Sequence, residues 1–469
     1  MQECGIMAQE KLSKRNWFTI CLFSLIGGVA WNVENMYFNT FMYNSVYAGT
    51  SQAVQAGTMA PTTAISRMVA LSAVAAMLTT FLMGTLSDKL RNRKTFIAVG
   101  YIIWGIITAL FGFITKENVA ALFSLSDDVK ILTATVWFVI IMDIIMTIMG
   151  SMSNDAAFNA WVTDITTPKV RPLLETVLTV ITFVSSGVVM GVGSFAQSGA
   201  IGYTSFFMIV GIIVSICGVA GLFLIKEPET HASKSAAASG YWSDLFYGFR
   251  PSSIRANARL YLTFLCIGLS TIAFQVFFPF LLVYLQYVII PENGGAQMFT
   301  GGVIITAVIV VAVLIAGVIA LIKLAARNKA LCIVCAAVLS CVGLFIVSTS
   351  TDIHILLIGI APAVLGYLIL TIQFNAAIKD FIPKGKAGLF QGVRMIFVVM
   401  LPMVIGPYLG DLACRNSNIT YTNEFGINTI VPSKSMFLYA AIVSVFIFIP
   451  LFFLIKKGFK VEEAEEREA

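Results

Sequence analysis

Apolar runs of roughly twenty residues, separated by short polar segments, follow one another along almost the whole chain. A helix of about 20 apolar residues spans the hydrocarbon core of a bilayer, and its backbone hydrogen bonds are satisfied internally. The pattern predicts an all-α integral membrane protein with twelve transmembrane helices in two six-helix bundles. The predicted spans are 17–43, 64–86, 95–114, 131–153, 173–196, 203–225, 259–284, 299–323, 330–349, 353–376, 389–411 and 435–455.

The longest polar segment, 226–258, separates six predicted helices from six. It predicts an N-terminal bundle at 1–225, a cytoplasmic linker at 226–258, a C-terminal bundle at 259–455 and a cytoplasmic tail at 456–469. A long polar linker at the midpoint of a membrane protein suggests duplicated halves.

An internal repeat supports this duplication. Phe158-Asn-Ala, followed by Asp164, recurs as Phe374-Asn-Ala, followed by Asp380. Both copies fall at the end of an even-numbered predicted helix, on the same side of the membrane. The two halves are therefore expected to share one architecture.

Composition and charge agree with a membrane protein. The chain is 58% hydrophobic and 12% charged, with a mean hydropathy of +0.90, whereas soluble domains carry about 25% charged residues. Of the 30 Lys and Arg residues, twenty-four fall in the segments on one side, four on the other and two within helices. Because cytoplasmic loops are rich in cations, we expect a multi-pass protein of the cell membrane with both termini cytoplasmic. The net charge of +6 does not indicate a nucleic-acid partner, because the cations follow the topology.

The first predicted helix carries the densest polar cluster in the apolar part of the chain, Trp31 with Asn32, Glu34, Asn35 and Asn39. The three asparagines lie at helical spacing and form one stripe. Amides in membrane helices often bond across helix–helix contacts. The cluster therefore has two interpretations, a substrate-binding surface or a structural contact between helices.

A second carboxyl, Asp143, lies near the middle of predicted helix 4, with Thr147, Gly150 and Asn154 on the same face. A charge at the membrane centre costs about 2.5–3.5 kcal/mol on insertion scales. Burial favours the neutral acid, which suits a proton carrier. The alternative is a structural salt bridge to Arg67 or Arg394.

The second half offers polar side chains on predicted helices 7, 10 and 11. Gln275, Gln373 and Arg394 can each point into a bundle, although Arg394 lies close enough to a helix end to extend to the membrane surface instead. The predicted substrate-binding set is Trp31, Asn32, Glu34, Asn35, Asn39, Asp143, Gln275, Gln373 and Arg394. Asp143 and Glu34 are the candidates for ion coupling.

The sequence does not favour an enzyme or a nucleotide-driven pump. Its two histidines, His231 and His354, lie in the linker and at a predicted helix end, so a histidine-based triad or a membrane metal cluster cannot form. The sequence has no phosphate-binding loop of the Gly-x-x-x-x-Gly-Lys-Ser/Thr type. We expect neither an enzyme nor a metal or other cofactor.

The loop Gly84-Thr-Leu-Ser-Asp-Lys-Leu-Arg-Asn-Arg-Lys94 joins two membrane-length runs. It resembles the loop between helices 2 and 3 of major facilitator transporters, although Arg91 and Asn92 stand where a glycine is more usual. That resemblance implies the major facilitator fold. In that family the loop aspartate braces the start of helix 11, which would bring Asp88 to the amides of 388–391. The implied cytoplasmic gate consists of Gly84, Asp88, Arg93, Asp164, Arg171 and Asp380.

Helix 1, the short basic loop and the loop after helix 4 look like those of the glycoside–pentoside–hexuronide symporters, the melibiose permease type. Those symporters bind sodium with two aspartates on helix 2, where this chain has Ala76 and Thr80. The expected function is therefore secondary transport of a small polar solute, most simply a sugar or glycoside, by a monomer and with H⁺ as coupling ion. The alternatives are a lipid or drug translocase of the same fold, or a membrane receptor or scaffold that does not transport.

Overall fold

The computed structural model describes residues 12–90, 92–166, 170–197, 199–226, 250–295, 301–382, 387–417, 419–422 and 428–458. The chain forms two compact units, Met1–Ser235 and Ala236–Ala469. Residues 227–249 of the predicted linker and 459–469 of the predicted tail lie outside the described residues.

The described residues of unit 1 form six long helices. Their bounds are α1 Lys14–Val46, α2 Pro61–Leu90, α3 Arg93–Phe111, α4 Asp128–Ile165, α5 Arg171–Gln197 and α6 Tyr203–Leu224. Two short helices, Gln52–Ala56 and Lys116–Phe123, lie in the connections that precede α2 and α4.

In unit 2, the part that the structure describes also forms six long helices, preceded by a short one at Pro251–Ala256. They are α7 Ala258–Glu292, α8 Gly301–Arg327, α9 Lys329–Thr349, α10 Ile353–Phe381, α11 at 387–417 and α12 Ser435–Lys457. Strands β1 (Thr420–Thr422) and β2 (Asn428–Ile430) pair antiparallel between α11 and α12.

The predicted all-helical membrane fold is confirmed. Within the described residues, eleven helices are long and apolar enough to cross a bilayer, and α5 contains the shorter apolar stretch Val180–Ala196. The largest difference is at α4, which was predicted to end at 153 and continues to Ile165. Its polar residues remain helical because they bond within the helix, as when Ser153 Oγ donates to the Met149 carbonyl at 2.7 Å.

Several of these helices contain π-helical turns, which are wider than α-helical turns. They are Val33–Tyr37 and Met42–Val46 in α1, Ser151–Phe158 in α4, Leu285–Ile289 in α7 and Ile396–Met400 in α11. Such turns are rare and occur frequently at functional sites. Two of them carry buried or half-buried carboxyls, Glu34 and Asp155.

Equivalent helices of the two units begin in the same way. The Asn92 side chain accepts a hydrogen bond from the Thr95 amide at 3.1 Å and caps α3. The Asn328 side chain accepts from the Leu331 amide at 3.0 Å and caps α9. Each asparagine satisfies one of the free amides at a helix N-terminus.

Hydrogen bonds connect both ends of α1 to neighbouring parts of unit 1. The Arg15 guanidinium donates to the carbonyl oxygens of Leu224 at 2.8 and 2.9 Å and of Phe223 at 2.7 Å, which caps the C-terminus of α6. Near the other end, Lys116 Nζ donates to the Ala48 carbonyl at 2.6 Å. Burial lowers the pKa of Lys116, and nearby acidic groups oppose that shift. These contacts hold α1, and therefore Glu34, in place.

Candidate functional site

Four polar residues of α4 recur at intervals of four: Asp143, Thr147, Ser151 and Asp155. In an α-helix each such interval drifts by about 40°, because one residue rotates by about 100°. The π-helical segment that starts at Ser151 rotates less per residue and offsets this drift. The four side chains therefore lie along one side of the helix.

Each of three carboxyls in this region accepts a hydrogen bond from a hydroxyl. Ser72 of α2 donates to Asp143 Oδ2. Thr147 Oγ1 donates to Glu34 Oε1 at 2.8 Å, and Ser151 Oγ donates to Asp155 Oδ2 at 3.3 Å. We call these six residues the carboxyl column.

Glu34 brings α1 into the column, because its Oε1 accepts the hydrogen bond from Thr147 of α4.

The column has no cationic partner within the described part of unit 1. Asp143 is 1% exposed and Glu34 8% exposed, and one oxygen of each, Oδ1 and Oε2, has no hydrogen-bond partner there. Asp143 and Arg67 form no ion pair in the described structure, where Ser72 is the hydrogen-bond partner of Asp143. Buried carboxyls without a cation favour the neutral acid or require a ligand.

Two indole rings lie beside the column. Trp31 of α1 and Trp104 of α3 contact each other with centroids 5.2 Å apart. Gly150 of α4 makes room for both, since a Cβ there would be 2.9 Å from an atom of each ring. Both indole nitrogens are enclosed without an acceptor among the described residues. Trp104 was not predicted, because an isolated tryptophan in an apolar helix is an ordinary core residue.

The three asparagines of α1 have different surroundings. Asn32 contacts α5: its Nδ2 lies 3.3 Å from Ser185 Oγ, and its Oδ1 accepts from Ser186 at 3.1 Å. Asn35 donates to the Trp31 carbonyl at 2.8 Å. Asn39 donates to the Asn35 carbonyl at 2.9 Å, and its oxygen is buried without a partner in the described structure. Asn32 therefore provides the helix–helix contact.

The far end of the column is Asp155, which was not predicted, and beside it lies Asn154, which was predicted on the face of Asp143. Tyr101 of α3 donates to Asn154 Oδ1 at 2.8 Å and lies 3.0 Å from the Phe23 carbonyl. Asn154 in turn lies 3.4 Å from Asp155 Oδ1. Asp155 was missed because it falls beyond the predicted end of helix 4. The four-residue spacing from Asp143 is the signal that could have revealed it.

In unit 2, the predicted polar side chains are also partly enclosed. Gln275 of α7 is half-buried and its oxygen has no partner among the described residues. The adjacent Phe274 stacks on Tyr367 of α10, with centroids 4.6 Å apart and planes at 10°. Arg394 of α11 donates to Asn375 Oδ1 at 3.0 Å, and Gln373 is half-buried.

Two ion pairs occupy equivalent helix ends. Arg93 Nε lies 2.7 Å from Asp164 Oδ2 in unit 1, and Lys329 Nζ lies 3.5 Å from Asp380 Oδ2 in unit 2. Both acids belong to the predicted gate. The side chains at 84–90, 171, 387–389 and 391 lie outside the described part of the structure, so the gate roles of Gly84, Asp88 and Arg171 and the bracing of α11 by Asp88 stay predictions.

Comparison with known proteins identifies the architecture. A sequence profile described as Major Facilitator Superfamily matches residues 35–407. Similar solved structures include a mutant of the nucleoside transporter NupG (TM-score 0.63, 12% identity, 93% of this chain and 99% of that chain). Others are a bacterial homologue of the human lysosomal transporter Spinster, inward-facing and occupied (0.63, 12%, 97% and 100%), and the xylose transporter XylE from E. coli (0.58, 12%, 94% and 97%). The sequence matches no curated protein significantly.

Proposed function

Because the chain belongs to the Major Facilitator Superfamily, we propose that it is a secondary active transporter for a small polar solute, a sugar or glycoside, across the cell membrane. One observation carries this proposal. The membrane helices of unit 1 enclose polar atoms that have no partner among the described residues: Trp31 Nε1, Glu34 Oε2, Asn39 Oδ1, Trp104 Nε1 and Asp143 Oδ1. Enclosed polar atoms cost free energy unless a ligand or water satisfies them.

The chemistry of these atoms suits a polyhydroxy compound. The indoles of Trp31 and Trp104 can only donate, whereas the free oxygens of Glu34, Asp143 and Asn39 accept. A sugar hydroxyl does both, and an apolar sugar face packs against an aromatic ring. Xylose, which XylE is named for transporting, and nucleosides, which NupG is named for transporting, both contain a sugar ring.

Unit 2 has its own candidate residues for binding the solute. Gln275, Gln373 and Arg394 are the candidates, and the free oxygen of Gln275 supports its inclusion. Phe274, stacked on Tyr367, adds an aromatic surface next to Gln275. Alternating access would expose this set to the two sides of the membrane in turn, with both termini cytoplasmic and the Arg93–Asp164 pair at the cytoplasmic gate.

We further propose that the coupling ion is H⁺. Ala76 and Thr80 leave no carboxyl at the helix 2 positions that bind sodium in melibiose-type symporters. Asp143 and Glu34 have no cationic partner in the described part of unit 1, which favours reversible protonation. Asp143 acts as the proton carrier, whereas Glu34 also contacts the solute.

Uptake by proteoliposomes tests the proposal. A panel of radiolabelled mono- and disaccharides and glycosides is offered with an imposed proton gradient, an imposed sodium gradient or none, and protein-free liposomes serve as the control. We expect accumulation of at least one sugar with the proton gradient alone. Sodium-driven uptake would refute proton coupling. Transport of lysolipids or apolar drugs but no sugar would establish the translocase alternative instead.

A further inference from the structure

The third carboxyl of the column, Asp155, has no part in solute binding or in the proton step assigned to Asp143 and Glu34. We propose that Asp155 is a proton-transfer residue and that the carboxyl column is the path by which the coupling proton moves along α4. This inference rests on the proposed proton coupling and extends it to a residue near the other end of the helix. The ligand of this path is H⁺ itself.

The arrangement of donors and acceptors supports a path. Along α4, Asp143 is followed by Thr147, Ser151 and Asp155 at intervals of about one turn. Four residues of a regular α-helix advance about 6 Å along its axis. Hydroxyls alternate with carboxyls, since Thr147 bonds Glu34 and Ser151 bonds Asp155. A hydroxyl can accept one proton while it donates another. The column therefore contains a group able to relay a proton at every turn.

A second observation points to something bound along this path. Asp143 and Glu34 each keep one buried oxygen without a donor in the described structure. Trp104, which is 0% exposed, lies against Gly150 between Thr147 and Ser151, and its N–H has no acceptor there. When no solute is bound, protons on the carboxyl oxygens and a water accepting from the indole satisfy these atoms.

Each transfer conserves atoms and charge. The O–H bond of a neutral acid breaks while an O–H bond forms on the neighbouring hydroxyl or water, whose own proton passes to the next carboxylate. The donor becomes a carboxylate and the acceptor becomes neutral. A proton from Asp143 thus reaches Glu34 and then Asp155. Water is the only additional reactant that these transfers use.

The helices packed against α4 carry no charge that would neutralise the column, as far as they are described. On α2 the described titratable group is Arg67, which is exposed. On α3 they are Tyr101, which bonds Asn154, and two cations in the first turn, Arg93, which pairs with Asp164, and Lys94. On α1, Glu34 belongs to the column itself, and the cations Lys14 and Arg15 lie in the first turn, where Arg15 donates to α6. Protonation is then the available means of relieving repulsion between the three carboxyls.

The backbone of α4 supports a functional role for Asp155. A regular α-helix would rotate Asp155 away from the line of Asp143 and Thr147, and the π-helical segment Ser151–Phe158 returns it. Glu34 likewise lies in a π-helical turn of α1. π-helical turns within α-helices occur frequently at functional sites.

The first test replaces Asp155 by asparagine, which keeps its shape and removes its proton. We expect Asp155→Asn to lose proton-driven accumulation of the transported sugar while it retains exchange of sugar across the membrane. Asp155→Glu should restore accumulation. The matched control is Asp128→Asn, which makes the same change at an exposed position in the first turn of α4. Wild-type accumulation by Asp155→Asn would overturn the proposal.

The second test needs no substrate. Dicyclohexylcarbodiimide reacts with protonated carboxyls in apolar surroundings, and mass spectrometry of peptides locates the adduct. We expect the purified protein in liposomes to be modified at Asp155, with less modification as the pH is raised. Equal modification at acid and alkaline pH, or none, would overturn the relay. If no sugar is transported but Asp155 reacts in a pH-dependent way, the proposed substrate is wrong and the relay is supported.

Discussion

Gly150→Ala offers a sharp test of the site, because the glycine separates α4 from two indole rings. The added Cβ would lie 2.9 Å from an atom of Trp31 and of Trp104. Overpacking of this kind costs about 1–3 kcal/mol. Replacing a mid-helix glycine by alanine returns about 0.5–1 kcal/mol. We therefore expect a net cost of about 1–2 kcal/mol, or a factor of about 5–30 in an equilibrium.

We expect this cost to weaken the affinity for the solute, because the indole rings shift more readily than the helix backbone when the Cβ is added. The assay is the apparent affinity of sugar uptake in proteoliposomes, together with the denaturation temperature in detergent. The matched control is Gly187→Ala in α5, where a Cβ would meet nothing within 4 Å. Identical affinity and stability for Gly150→Ala and Gly187→Ala would refute the placement of the indoles against α4.

Three further predictions concern coupling, stability and topology. Asp143→Asn should abolish proton-driven accumulation and keep exchange, whereas Glu34→Gln should weaken both through affinity; full accumulation by Asp143→Asn would contradict the carrier assignment. Arg15→Ala removes the cap of α6 and should destabilise the protein by about 2 kcal/mol. Hydrogen bonds to charged groups contribute about 1.5–3 kcal/mol, and this site is partly exposed. The control variant Lys14→Ala, at the neighbouring position, should have almost no effect on the denaturation temperature. Glu117→Cys should react with an impermeant maleimide on intact cells, and protection until lysis would reverse the predicted topology.

Much of the candidate site could be read from the sequence because charge in a membrane is costly. Glu34 and Asp143 stand out in apolar runs, and such residues usually face a partner or a cavity. Asp155 does not stand out, because it follows Ser151 and Asn154 in a stretch whose polarity suggests a helix end. Asn32 also stands out as a polar residue in an apolar run, but its side-chain amide makes a helix–helix contact with α5.

The sequence by itself determined the helical membrane fold, since an apolar run of about 20 residues has few alternatives in a bilayer. The tertiary structure decided which groups meet. The bond from Thr147 to Glu34 joins residues 113 apart in the chain, and that from Ser72 to Asp143 joins residues 71 apart. Such pairs depend on how helices pack and rotate, which hydrophobic patterning does not specify at this precision. The alignment of Asp155 with Asp143 depends further on one π-helical segment, a local choice of backbone hydrogen bonding that residue types alone do not reveal.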